Sequence, residues 1–281
     1  MLPYDLARRL DLRPHGRSEW RGNCPACAYE DSFVLTVRDG TPLLWCASCQ
    51  DRDAMTALLR GTTPATACPA PTRRAADPGE RTARAIALWD GAVPALGTPA
   101  DVYLSVARRL PGLAASAALR FRPDTPHPAG GRLPAMLAIV RDVQGKPVAL
   151  HRTYLRHDGR GKADADPTKA SLGPVAGGAI RLDPVAHELV VAEGIETAAS
   201  ARRLLGLPAW SGISACNIER CLALPPAVQA VVIAADPGEP GERAARAAAR
   251  RWQREGRRVR IALPDNAAHD FNDLVAEAGN A

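Results

Sequence analysis

Apolar positions in the last third of this chain come in short unbroken runs. Leu189-Val190-Val191-Ala192 stops at Glu193-Gly194, and Val228 to Ala235 stops at Asp236. Between them, Ile195 to Leu205 has the spacing of an amphipathic helix. Pro208–Ser211 and Arg258–Leu263 read as two more strands, Ser214–Leu222 and Gly241–Glu255 as helices, and Asp270-Phe271-Asn272-Asp273 opens a last helical turn. Short apolar runs bounded by turn residues and alternating with helices predict buried parallel strands with right-handed crossovers. Ligands bind beyond the carboxyl ends of such strands, where Glu193 and Asp236 both fall. Two carboxylates at one sheet edge suit a divalent cation, because Mg²⁺ takes hard oxygen ligands and usually only one or two from protein.

The first third alternates differently. A short helix over 5–12 precedes Cys24-Pro25-Ala26-Cys27. Ser32 to Val37 reads as a strand, Asp39-Gly40 as a turn, and Leu43-Leu44-Trp45 as the returning strand, ending at Cys46-Ala47-Ser48-Cys49. Two C-x2-C knuckles joined by a hairpin can bring four thiolates into the tetrahedron that Zn²⁺ prefers. Such a zinc is structural, and nucleic-acid contact by the ribbon surface is a separate reading. A helix over Asp53–Leu59 closes the module, and Gly61 to Gly79, rich in Thr, Pro and Ala, reads as a linker carrying an idle thiol, Cys68.

The middle reads as α+β: helical over 80–110, with Pro99 at a helix start, then strands at Leu119–Arg122, Ala135–Val143 and Val148–Arg156. The last two flank a turn at Gln144-Gly145-Lys146-Pro147. His127 is expected in a solvated loop, and Cys216 and Cys221 as small core residues. His151, Arg152, Arg156, Arg160, Lys162 and Lys169 cluster here. They read as a phosphate-tracking surface or, with equal weight, as a solvated loop.

Composition adds limits. The chain has 281 residues, 46% apolar and 23% charged, so it is globular and long enough for more than one domain. A net charge of +6 permits an anionic partner such as nucleic acid. Arginine outnumbers lysine, which occurs only at 146, 162 and 169; that skew fits a GC-rich genome and carries no function. No run approaches the ~20 apolar residues of a membrane span. The start lacks a signal-peptide pattern, so a cytoplasmic protein is expected. Seven cysteines there argue for metal rather than disulfides.

Val191-Ala192-Glu193-Gly194-Ile195-Glu196-Thr197-Ala198, Val232-Ile233-Ala234-Ala235-Asp236 and Asp270-Phe271-Asn272-Asp273-Leu274 resemble the Toprim domain of primase-like proteins from phages, plasmids and other mobile elements. The order of segments resembles bacterial primases: a zinc ribbon over 1–60, a linker over 61–79, a basic α+β subdomain over 80–187, and a Toprim domain over 188–281. This resemblance implies a primase, a nucleotidyltransferase making short primers on single-stranded DNA from nucleoside triphosphates, with structural Zn²⁺ and catalytic Mg²⁺ or Mn²⁺. It implies Glu193 as general base or metal ligand and Asp236 as metal ligand, with Asp270 or Glu239 as helper. Arg152 in His151-Arg152-Thr153-Tyr154-Leu155 and Lys169 match residues lining a nucleotide and template surface, to which Arg156 and Lys162 are added.

Trp45 reads either as a base-stacking aromatic or as core. Glu196, one turn into the helix, reads as a support of the helix start. The family's Asp-x-Asp is Asp236-Pro237-Gly238 here, so Gly238 stands where the second acid would. That departure raises two other readings: a single-stranded-DNA-binding accessory protein with weakened catalysis, and a Toprim nuclease. No G-x-x-x-x-G-K-[ST] loop is present, so unwinding would fall to a separate helicase.

Overall fold

The computed structural model describes residues 3–16, 18–25, 32–38, 40–46, 55, 78–264 and 270–278. The chain divides into two compact units, Met1–Ala75 and Ala76–Ala281. The expected helix over 53–59, apart from Met55, and most of the expected linker, with Cys68, lie outside the described residues, as do Cys27 and Cys49.

In the first unit, α1 (Pro3–Arg9) precedes an antiparallel sheet of β1 (Arg13–Pro14), β2 (Glu19–Gly22), β3 (Phe33–Arg38) and β4 (Thr41–Cys46), in that order. Two of these strands were legible as a hairpin. β1 and β2 lack a run of alternating apolar residues; β2 forms along the edge of β3, and β1 along the edge of β2. Leu6, Leu12, Phe33 and Leu35 make the buried face, and the period-2 alternation leaves Leu43 and Trp45 on the other. Trp45 is 39% exposed and does not belong to the core.

The second unit holds two five-stranded sheets. One is antiparallel, in the order β5 (Val93–Pro94), β6 (Leu119–Pro126), β7 (Arg132–Arg141), β8 (Pro147–Tyr154), β9 (Lys169–Leu172). Helix α2 (Pro78–Asp90) packs on β8. The expected long helical region breaks after Asp90, and its second part is α3 (Pro99–Val102), capped by Thr98 Oγ1 accepting from Ala100 N, which runs into a π-helical turn over Tyr103–Ala107. The bulged β6–β7 pairing continues to Pro126 and Arg132, so His127 does not lie in a solvated loop. It is buried, its Nδ1 accepts from Ala129 N at 3.2 Å, and its ring meets Tyr154 edge-on.

The other sheet has the order β10 (Ile180–Arg181), β12 (Ala209–Ser211), β11 (Glu188–Ala192), β13 (Ala230–Ala234), β14 (Arg258–Ala262). The last four are parallel, as the runs predict; β10 adds to the edge antiparallel. Helices α4 (Ile195–Leu205) and α6 (Phe271–Ala278) pack together on one side of this sheet. Val190, Ala192, Val232 and Ala234 face them in a core shared with the antiparallel sheet. Leu189, Val191, Val231 and Ile233 face the other way, toward α5 (Glu239–Arg254) and the fully buried Trp210 and Trp252. Burial on both faces is why these strands are unbroken apolar runs rather than alternating ones. The expected helix at 214–222 is mostly a π-helical turn over Asn217–Cys221, seated against Gly212, where an added Cβ would stand 2.4 Å from Ile218. Cys221 is exposed and Cys216 half-buried, so neither is the core residue expected.

Candidate active site

Strands β11 and β13 are direct neighbours, with Ala192 opposite Ala234. The chain leaves β11 at Glu193 and passes Asp236 just after β13, so both acids emerge at the same edge of the sheet. They line one cavity of about 250 Å³. The Glu193 carbonyl oxygen is fixed by Ser211 Oγ at 2.7 Å and Ile213 N at 2.9 Å. Ile213 itself sits at φ 75°, a strained position for a β-branched residue, and also lines the cavity.

Asp270 joins the same cavity from the start of α6. Its Oδ1 accepts from Asn272 N (2.7 Å) and Asp273 N (2.9 Å), an N-cap arrangement that leaves Oδ2 for other partners. Glu239 does not converge with the others. It opens α5, is exposed, and is absent from the cavity lining. Gly238 adopts φ 104° and ψ 161°, a conformation open almost only to glycine.

The opposite wall is basic and comes from the antiparallel sheet. Thr153 pairs with Lys169 and His151 with Ser171, and an isolated bridge joins Leu155 to Lys162. Side chains on paired residues share a face, so His151, Lys162 and Lys169 project to one side, and all three line the cavity.

Arg152 is one residue out of phase. Its guanidinium points into the opposite face, 7% exposed, donating to the carbonyl oxygens of Pro126 (2.9 Å) and Ser171 (3.4 Å). Its expected place on a nucleotide surface is therefore corrected: a one-residue offset in a strand moves a side chain to the other face. Arg156 is exposed and paired with Asp158 at 3.2 Å, outside the cavity lining.

Glu196 supports more than a helix start. It is buried, accepts from Tyr103 Oη at 2.7 Å, and pairs with Lys169 Nζ at 3.3 Å. Arg108 Nε donates to Tyr103 Oη at 3.0 Å. Burial alone would raise the Glu196 pKa, but the Lys169 charge and the Tyr103 hydroxyl outweigh it and hold the carboxyl down at about 2. Burial, reinforced by the Lys169 charge, pushes His151 down to about 3, so its ring is neutral at pH 7. The same two causes bring Lys162 down to about 8.

Asp236 shifts the other way. Burial and the nearby Asp270 and Glu196 charges raise its pKa against a 3.3 Å hydrogen bond from Thr197 Oγ1. A buried carboxylate crowded by other carboxylates is the condition that a divalent cation relieves. Among the described residues no group of three His, Cys, Asp or Glu side chains is close enough to hold a metal ion. A cation here would take one or two protein ligands and keep water for the rest, as Mg²⁺ commonly does.

In the first unit Gly22 pairs with Phe33 and Phe33 with Cys46, so Cys46 and Cys24 lie toward one end of the sheet, and both are buried. Ser32 Oγ is 3.3 Å from Cys46 Sγ.

Residues 188–281 match the family model of the Toprim domain, and residues 79–182 match a domain of unknown function, DUF7146. No curated protein matches the sequence. The zinc-binding and RNA polymerase domains of the Aquifex aeolicus primase are similar over 99% of this chain and 80% of theirs, at 13% identity and a TM-score of 0.52. The DnaG primase catalytic domain bound to ssDNA is similar over 70% of this chain and 76% of its own, at 16% identity and a TM-score of 0.50. The parallel sheet with its two rim carboxylates thus belongs to a Toprim domain. With the α+β part ahead of it, the chain has a fold similar to that of these two primase structures.

Proposed function

We propose that this chain is a DNA primase-like nucleotidyltransferase that makes short primers on single-stranded DNA, serving replication of a plasmid, phage or integrated element. The observation that carries the reading is the shared cavity: Glu193, Asp236 and Asp270 on one wall, Lys162 and Lys169 on the other. In the reaction a 3′-hydroxyl attacks the α-phosphate of a nucleoside triphosphate. A new P–O bond forms, the α–β bridge breaks, and pyrophosphate leaves with its electron pair. Glu193, at the strand end, would take the hydroxyl proton or hold a divalent cation, and Asp236 would hold the cation, with Asp270 as helper. Bound Mg²⁺ or Mn²⁺ would neutralise charge on the attacking and leaving oxygens. Lys162 and Lys169 steer the triphosphate by charge.

Zn²⁺ held by Cys24, Cys27, Cys46 and Cys49 would be structural, closing the end of the first sheet; two buried thiols at that end fit the role. Trp45, exposed beside Leu43, offers an aromatic face to a template base. A separate helicase would supply the single strand.

A template-directed synthesis assay tests this. Glu193→Gln and Asp236→Asn should each lower primer formation on the order of 10²-fold or more with unchanged melting. The reading fails if wild-type protein with Mg²⁺ or Mn²⁺, template and all nucleotides makes no primer.

A second reading has its own observation. Gly238 stands where the second acid of the pair would. A single-stranded-DNA-binding accessory protein would then show salt-sensitive binding without nucleotide incorporation.

A further inference from the structure

Glu196 is used by neither the metal nor the proton step above, yet it is a buried, fully charged group in the same cavity. Its two oxygens are divided between partners from the antiparallel half of the unit. Oε1 accepts from Tyr103 on the π-helical turn, and Oε2 meets Lys169 on β9. Tyr103 is in turn fixed by Arg108, and Arg108's carbonyl oxygen accepts from Asn272 Nδ2 at 2.7 Å. The Glu196 side chain is 11% exposed and Lys169 33%, so this pair is shielded from solvent far more than a surface ion pair.

The charge balance around it is unusual for a phosphate site. Among the described residues the cavity carries three cations, Arg108, Lys162 and Lys169, against four carboxylates, Glu193, Glu196, Asp236 and Asp270, with His151 neutral. A cavity built only to attract polyphosphate would be net positive. Over the described residues this one is net negative, and Glu196 makes it so.

We propose that Glu196 is a specificity residue: by occupying Lys169 and keeping the cavity acidic, it restricts entry to polyphosphate already complexed with a divalent cation. A metal-free polyphosphate meets excess negative charge and a lysine that is already paired. The cation complex brings compensating positive charge to Glu193 and Asp236 and leaves a less anionic tail for Lys162 and Lys169. The role acts through Lys169, and it rests on reading the cavity as a phosphate site.

The experiment is equilibrium binding of inorganic tripolyphosphate to the full chain by calorimetry, with Mg²⁺ and with a chelator. Wild-type protein should bind with Mg²⁺ and weakly without it. Glu196→Gln keeps an acceptor for Tyr103 and removes the charge, and it should gain metal-free affinity on the order of tenfold. Glu196→Asp, which restores the charge, and Tyr103→Phe, which leaves it, should both retain the metal requirement. If Glu196→Gln leaves metal-free binding unchanged, or weakens the Mg²⁺-dependent binding as loss of a metal ligand would, the role of Glu196 is overturned while the phosphate site stands. If wild-type protein binds no tripolyphosphate even with Mg²⁺, the phosphate reading itself is overturned, and this role with it. Thermal melts of each variant identify any loss that is only unfolding, and Glu196→Ala, which also removes the charge, takes the place of Glu196→Gln if that variant does not fold.

Discussion

Lys162 and Gly238 show how local surroundings set what one residue can do. Burial and the Lys169 charge bring Lys162 to about 8, so it loses its proton within the working range of most assays. Triphosphate affinity should fall as pH rises through about 8. Lys162→Arg, whose guanidinium keeps its charge, should carry that falling limb upward; a binding titration from pH 6.5 to 9.5 checks it. Gly238 has open space around its Cβ position, so size does not exclude a side chain there; its φ of 104° does. Gly238→Asp, which rebuilds the family's second acid, should cost about 1–3 kcal/mol of stability, and Gly238→Ala about the same. Equal losses in denaturant midpoint would identify the backbone as the cause. Gly241 differs: a Cβ there would stand 2.4 Å from the Asp236 carbonyl oxygen, so the first turn of α5 closes on the loop that presents the acid.

Strand β8 carries the lesson at the scale of the element. The sequence marked a basic cluster without saying which of its members share a face. The pairing of β8 with β9 decides it, sending His151 and Lys169 to the cavity and Arg152 to the packed side. Arg152→Ala should destabilise the fold by about 2–3 kcal/mol, because it removes a buried side chain together with its hydrogen bonds to the Pro126 and Ser171 carbonyl oxygens, with little change in the salt dependence of DNA binding by the folded protein. Lys169→Ala should do the reverse in binding, lowering affinity and flattening the salt dependence. Melting curves and binding isotherms at several ionic strengths separate the two. Strands β11 and β13 were easier to read: burial on both sides wrote them as apolar runs, and an acid stands just beyond the end of each. Strands β1 and β2 and the π-helical turn carrying Tyr103 left no such trace: the two strands have no alternating apolar run, and the five-residue bond of the turn, Arg108 N to Tyr103 O, follows no apolar period.

For the whole molecule, acid is the informative stress. Glu196 has a folded pKa of about 2 against an ordinary 4.5, so its stabilising contribution is complete above 4.5 and is lost as pH falls toward 2. His151 is depressed from 6.5 to about 3, so the unfolded chain takes up its proton first and the native state weakens as pH falls through that window. Melting temperature should therefore decline from about pH 6.5 downward. His151→Gln should flatten the upper part of the decline and Glu196→Gln the part below 4.5. If zinc closes the first sheet, a strong chelator should melt that sheet and leave the second unit's transition in place, since the chain divides near residue 75. Calorimetry with and without chelator would resolve the two transitions.

The sequence by itself determined the alternation of strands and helices over 188–281, the acids at two strand ends, the cysteine spacing and the basic cluster. These follow from periodicity and short-range chemistry, which a chain expresses residue by residue. Tertiary structure decided that Glu193, Asp236 and Asp270 share a cavity with Lys162 and Lys169, that Arg152 faces away, that Glu239 stays outside, and that Glu196 is a buried counter-ion as well as a first-turn helix residue. Each of those turns on which face a strand presents and which partner lies across from it. Register and burial are properties of two segments at once, and no single stretch of sequence contains them.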